Sequence, residues 1–155
     1  MSVVAVYDCM PWFMRAARPN RFHDAFNLID RGEIRLCISL EVLSEIRDVM
    51  TRPHHLTKFP ALTPKRIDAF LESVVERSIM VAPVPHVYEL ERDPKDSKYV
   101  NLAIAAGASY LVTRDHDLLE LGNPTTTIGM DFQRRFPNLQ VVEPSSLVRK
   151  FNEAG

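Results

Sequence analysis

Five short apolar runs alternate with segments of helical period, and this alternation constrains the chain more than any other feature. The runs are Val3-Val4-Ala5-Val6-Tyr7-Asp8, Ile34 to Ile38, Ile79-Met80-Val81, residues 110 to 113, and Leu139 to Val142. Strands separated by helices pair in parallel, because each helix carries the chain back to the edge where it started. The expected fold class is α/β, with a short parallel sheet of about five strands covered on both faces.

The intervening segments carry helix punctuation. Pro11 suits the first position of a helix after the opening strand, and Phe13, Phe22, Ala25, Phe26 and Leu28-Ile29 predict a helix or helix pair broken near Arg18-Pro19-Asn20. Gly32 ends it. Ser39 caps a helix over Leu40 to about Met50, and Thr63-Pro64 opens another that runs to about Arg77. Residues 52 to 63 read as loop. Pro83, Pro85 and Pro94 mark an extended connection, followed by an alanine-rich helix from Asp96 to Ala106 that stops at Gly107. Leu118 to Leu121 reads as a short helix, Gly122 to Thr127 as loop and Phe132 to Phe136 as a helical turn; Pro144 starts the last helix.

A chain of 155 residues suits one domain, here spanning 1–155, and can bury a core without disulfides. The net charge of −1 is not that of a protein that coats nucleic acid, although a local basic rim is enough to hold a few phosphates. Cys9 and Cys37 have no zinc spacing and read as reduced, buried thiols. No apolar run is long enough to span a membrane, and no signal-peptide pattern opens the chain, so a cytoplasmic location is the default expectation.

The chemistry is concentrated in acids at strand ends. Asp8 and Asp115 close two of the apolar runs, so in one parallel sheet both carboxylates emerge at the same edge. That edge is where open α/β sheets bind ligands. Converging carboxylates repel unless a cation joins them, and a hard, oxygen-loving Mg²⁺ or Mn²⁺ is the natural partner. The competing explanation is helix capping. Asp8, Asp93 (followed by Pro94) and Asp115 all suit cap positions, and Asp96 suits a first helical turn. Capping accounts for each acid alone but not for several at one sheet edge. Glu41, Glu45 and Asp48 share the helix after the second strand. Glu41 and Asp48 fall outside its apolar arc, whereas Glu45 borders that arc, and periodicity alone does not decide its direction. Asp117 reads equally as an auxiliary acid, a ligand or a first-turn charge.

At this point the chain resembles the PIN-domain ribonucleases, in particular the PIN-family toxins of toxin–antitoxin modules. The resemblance is carried by Asp93-Pro-Lys-Asp-Ser-Lys-Tyr-Val-Asn-Leu-Ala-Ile-Ala-Ala-Gly-Ala-Ser-Tyr-Leu-Val-Thr-Arg-Asp-His-Asp-Leu-Leu119. Ser39-Leu-Glu-Val-Leu-Ser-Glu-Ile-Arg-Asp-Val-Met-Thr-Arg-Pro53 and the opening strand with Asp8 add to it. It implies a three-layer α/β/α sandwich of strand order 3-2-1-4-5. It further implies a metal-binding quartet of Asp8, Glu45, Asp96 and Asp115, with Asp117 as an auxiliary catalytic acid. An RNA substrate, a cognate antitoxin and a homodimer follow from the same resemblance. The chain departs from the family in carrying Asp8-Cys9-Met10 where Asp-Thr-Asn is usual, and Arg114 where glycine is common.

The expected activity is Mg²⁺- or Mn²⁺-dependent endoribonucleolytic hydrolysis, in which metal charge polarises the phosphate and acidifies the attacking water. Arg52, Lys58, Lys95, Lys98 and Arg114 are the candidate RNA-facing bases. The alternative is a catalytically weakened PIN-fold module that holds RNA or a protein, favoured by the Cys9-Met10 departure. Phosphoryl transfer through an aspartyl phosphate fits less well, since Met10 stands where a dehalogenase-type phosphatase has its second acid.

Overall fold

The computed structural model describes residues 3–154. Its strands are β1 (Val3–Tyr7), β2 (Ile34–Ile38), β3 (Ile79–Met80), β4 (Tyr110–Val112) and β5 (Gln140–Val142). They form an all-parallel sheet of order β3-β2-β1-β4-β5. Consecutive strand residues point to opposite faces. Ala5, Val6 and Tyr7 of β1, and Leu36, Cys37 and Ile38 of β2, are all buried, so both faces of the sheet are covered. This is the three-layer α/β arrangement expected from the sequence.

The helices are α1 (Cys9–Ala17), α2 (Asp24–Asp30), α3 (Leu40–Met50), α4 (Pro53–Lys58), α5 (Pro64–Arg77), α6 (Ser97–Ala106), α7 (His116–Leu119), α8 (Thr127–Arg135) and α9 (Pro144–Ala154). Among the described residues none is long and apolar enough to cross a membrane. Ser39 caps α3 as its sequence predicts, accepting from the Val42 amide at 3.2 Å. Thr63 caps α5 in the same way, accepting from the Arg66 amide at 3.2 Å. Gly107 ends α6 at φ 63°, a left-handed turn that costs glycine little, and its amide closes onto the Ala103 and Ile104 carbonyls.

Three segments differ from the sequence expectation. Residues 53–58 are helical rather than loop, because Pro53 stands at the first helical position, where its missing N–H costs nothing. Helix α8 starts well before Phe132; Thr126 caps it by accepting from the Gly129 amide at 3.0 Å, a cap concealed in a run of three threonines. Helix α1 begins at Cys9, so Pro11 lies within its first turn instead of opening it.

Two connections set the position of the site. Tyr7 pairs with Val112, and the Asp8 amide donates to the Val112 carbonyl at 3.1 Å, so the ends of β1 and β4 lie side by side. The extended connection before α6 is fastened by Asn101, which is buried. Its Oδ1 accepts from the Val87 and Tyr88 amides at 2.7 and 2.8 Å, and its Nδ2 donates to the Tyr88 and Ser97 carbonyls at 2.9 Å each. Ser97 Oγ accepts from the Leu90 amide at 2.8 Å. These bonds place the start of α6, and the acids before it, against the sheet edge.

Candidate functional site

Asp8 follows the last residue of β1 and is 6% exposed. Its Oδ2 accepts from the Thr113 hydroxyl at 2.5 Å, while its Oδ1 has no hydrogen-bond partner. It occupies the cap position of α1 without making a cap hydrogen bond, so capping does not explain it. Burial raises its pKa to about 6; the Thr113 hydroxyl and the nearby Met10 amide pull it down, and Asp115 and Glu45 push it up.

The turn before α6 supplies Asp93 and Asp96. Neither makes a side-chain cap bond. Together with Asp115 they form a group in which one carboxylate oxygen from each residue lies within 4.8 Å of the others. Asp96 is pushed up to about 7, first by burial and then by Asp93, Glu45 and Asp115, with Asp93 hydrogen-bonded to its protonated form. Asp115 does act as a cap: its Oδ2 accepts from the Leu118 amide at 3.2 Å. Its own amide donates to the Thr113 hydroxyl at 3.0 Å.

Glu45 turns inward from α3, whereas Glu41 and Asp48 are exposed. Lys98 Nζ donates to its Oε2 at 2.5 Å, and the Tyr99 hydroxyl donates to its Oε1. Burial alone would raise the Glu45 pKa, but Lys98 and Tyr99 outweigh it and hold the carboxylate below its ordinary value. Glu45 therefore stands beside the aspartates, within electrostatic reach of Asp8 and Asp96, but with both oxygens already engaged.

The structure thus brings Asp96 and Asp115 together, with Asp8 and Glu45 flanking them. It adds Asp93, which the sequence marks only as a cap. Asp117 is separate from this group: it lies in the first turn of α7, 4.0 Å from the Arg92 guanidinium. The structure adds Thr113 and Tyr99 as well, since a strand-end threonine and a buried helical tyrosine carry no signal of chemistry in the sequence. Of the basic candidates, Lys98 is spent on Glu45. Arg52, Lys58, Lys95 and Arg114 are exposed, and Arg114 lines a groove of about 550 Å³ with Met10, Met14, Phe22 and Val148. Burial pushes the Cys9 thiol up to about 12, which disfavours its thiolate.

The donor set fits a hard divalent ion. It is all oxygen, it carries more negative charge than Lys98 can offset, and it includes a buried carboxylate oxygen that no protein group satisfies. The parallel sheet gathers this group of acids at its carboxyl edge. The family model described as the PIN domain matches residues 10–117, and the chain belongs to the PIN-domain family. The match takes in Glu45, Asp96, Asp115 and Asp117 and begins just after Asp8. PIN domains are in general nucleases that bind RNA and typically use divalent metal ions. No curated protein matches the chain.

Proposed function

We propose that this chain is a Mg²⁺- or Mn²⁺-dependent endoribonuclease that hydrolyses RNA phosphodiester bonds. The observation that carries the reading is the Asp93–Asp96–Asp115 group beside the unpartnered Oδ1 of buried Asp8. Asp8, Asp96 and Asp115 would hold the ion with Asp93, and Glu45 would complete the set. When bound, the ion supplies charge that offsets the negative charge building on the phosphate.

The remaining work falls to the chain. Thr113 fixes the Asp8 carboxylate from one side and the Asp115 backbone from the other. Burial first, and the neighbouring acids after it, make Asp96 hold its proton more tightly than a free aspartate does, so an ion held there would displace that proton. Asp115, or Asp117 in the turn after it, orients the attacking water. Arg114 and the exposed Lys95 flank the acids in sequence and meet the RNA backbone.

Within this reading the chain is the toxin of a toxin–antitoxin pair, acting in the cytoplasm as a homodimer, with an antitoxin segment that covers the acidic cleft. Cleavage of single-stranded RNA by Asp8→Asn, Glu45→Gln, Asp96→Asn and Asp115→Asn proteins tests the enzyme. Each variant is expected to lose most of the wild-type rate, and undiminished cleavage in all four overturns the proposal. A second reading, a PIN-fold module that holds RNA or protein without cutting it, is favoured by the Lys98–Glu45 pair and by Cys9-Met10 beside Asp8. A protein of that kind takes up no Mn²⁺ in a calorimetric titration.

A further inference from the structure

Lys98 is 10% exposed, yet its ammonium is not left to balance the aspartates at large. It is aimed at one oxygen of Glu45, at 2.5 Å, and its neighbour Tyr99 takes the other oxygen. Both grips come from consecutive residues of the first turn of α6, the turn that also follows Asp96. A carboxylate gripped at both oxygens keeps only one lone pair on each, and the ammonium at 2.5 Å already takes up much of the negative charge that an incoming ion would use. An ammonium this well buried is also costly to leave without its counter-ion.

We propose that Lys98 is a cation built into the acidic site, competing with the divalent metal for Glu45 and thereby setting how tightly the site takes metal. The inference rests on the proposed metal-dependent reading of the same acids. In the metal-free protein Lys98 holds Glu45 away from Asp93, Asp96 and Asp115 and relieves part of their mutual repulsion. To hold the ion, Glu45 would give up the ammonium, and Lys98 would then stand free at the edge of the site. Lys98 is thus a positioning residue acting through Glu45.

The test is calorimetric titration of Mn²⁺ into wild type, Lys98→Met, Glu45→Gln and the double variant, with a thermal melt of each metal-free protein. Lys98→Met keeps the aliphatic stem and removes the charge; Lys98→Gln serves if the methionine variant does not fold. The expected result is Mn²⁺ binding about tenfold tighter in Lys98→Met than in wild type, with a lower melting temperature in the absence of metal. In the Glu45→Gln background the same substitution should bring most of that gain to nothing. Equal or weaker binding by Lys98→Met overturns the proposal while leaving the metal site standing, since wild type still binds. An undiminished gain in the Glu45→Gln background also overturns it, because long-range repulsion of the ion by Lys98 then suffices. Mn²⁺ uptake by Lys98→Met alone supports it. Failure of both wild type and Lys98→Met to bind removes this inference together with the metal-dependent reading.

Discussion

The Thr113 hydroxyl donates to Asp8 Oδ2 at 2.5 Å across the end of the β1–β4 ladder, joining residues 105 positions apart in the chain. Thr113 Oγ1 in turn accepts from the Asp115 amide at 3.0 Å. One buried hydroxyl therefore sets the relative position of two acids delivered by different strands. Thr113→Val keeps the shape of the side chain and removes both bonds. It should destabilise the protein by about 1–3 kcal/mol in denaturant unfolding, the usual cost of stranding buried polar groups. It should also weaken Mn²⁺ binding. A variant as stable as wild type, with unchanged Mn²⁺ affinity, contradicts this role.

Asp93 contributes an oxygen to the aspartate group, whereas Asp117 leans towards Arg92. Asp93→Asn should therefore lower Mn²⁺ affinity by on the order of 10–100-fold, and Asp117→Asn by much less. Calorimetric titration of the two variants side by side decides the matter; the reverse order would move the metal centre towards α7.

Metal-free stability should depend on pH in an uncommon direction. Burial first, and neighbouring acids after it, raise Asp8 to about 6 and Asp96 to about 7, above the ordinary 3.8. The folded state then binds these protons more tightly than the unfolded chain does. Their stabilisation is fully present below the ordinary value and is lost as the pH rises through about 6 to 7. Glu45 runs the other way, but its window lies below its ordinary 4.5. The melting temperature of metal-free protein should fall between about pH 4 and about pH 7, and Asp96→Asn should flatten that fall. An equal slope in wild type and variant contradicts the assignment.

Asn101 tests the scaffold independently of the chemistry. It makes four hydrogen bonds that fasten residues 87–88 and the start of α6. Asn101→Leu leaves the Val87 and Tyr88 amides without their acceptor and should cost about 2–4 kcal/mol in denaturant unfolding. A loss below about 0.5 kcal/mol would show that the connection is held by other means.

The parallel sheet and its strand ends were legible because strand and helix periods alternate cleanly and caps such as Ser39 and Thr63 are local. Placing Asp8 and Asp115 at one edge needed only the parallel pairing of their strands. Glu45 was ambiguous because a helical wheel gives an azimuth but not the partner that draws a border residue inward; here the partners are Lys98 and Tyr99, more than fifty residues away. Asp93 was hidden because Asp-Pro is also the pattern of a helix start, and only the path of the connection turns its carboxylate towards Asp115. Helix α4 was missed for a related reason: a proline that ends one helix can open the next.

The most direct measurement is a crystal structure of the protein soaked in Mn²⁺, with anomalous scattering to locate the ion. The expected result is a peak about 2.0–2.4 Å from carboxylate oxygens of Asp93, Asp96 and Asp115, with Asp8 Oδ1 turned towards it or towards its water. Full soaking with no peak among these acids, or a peak held by other residues, contradicts the metal-dependent nuclease.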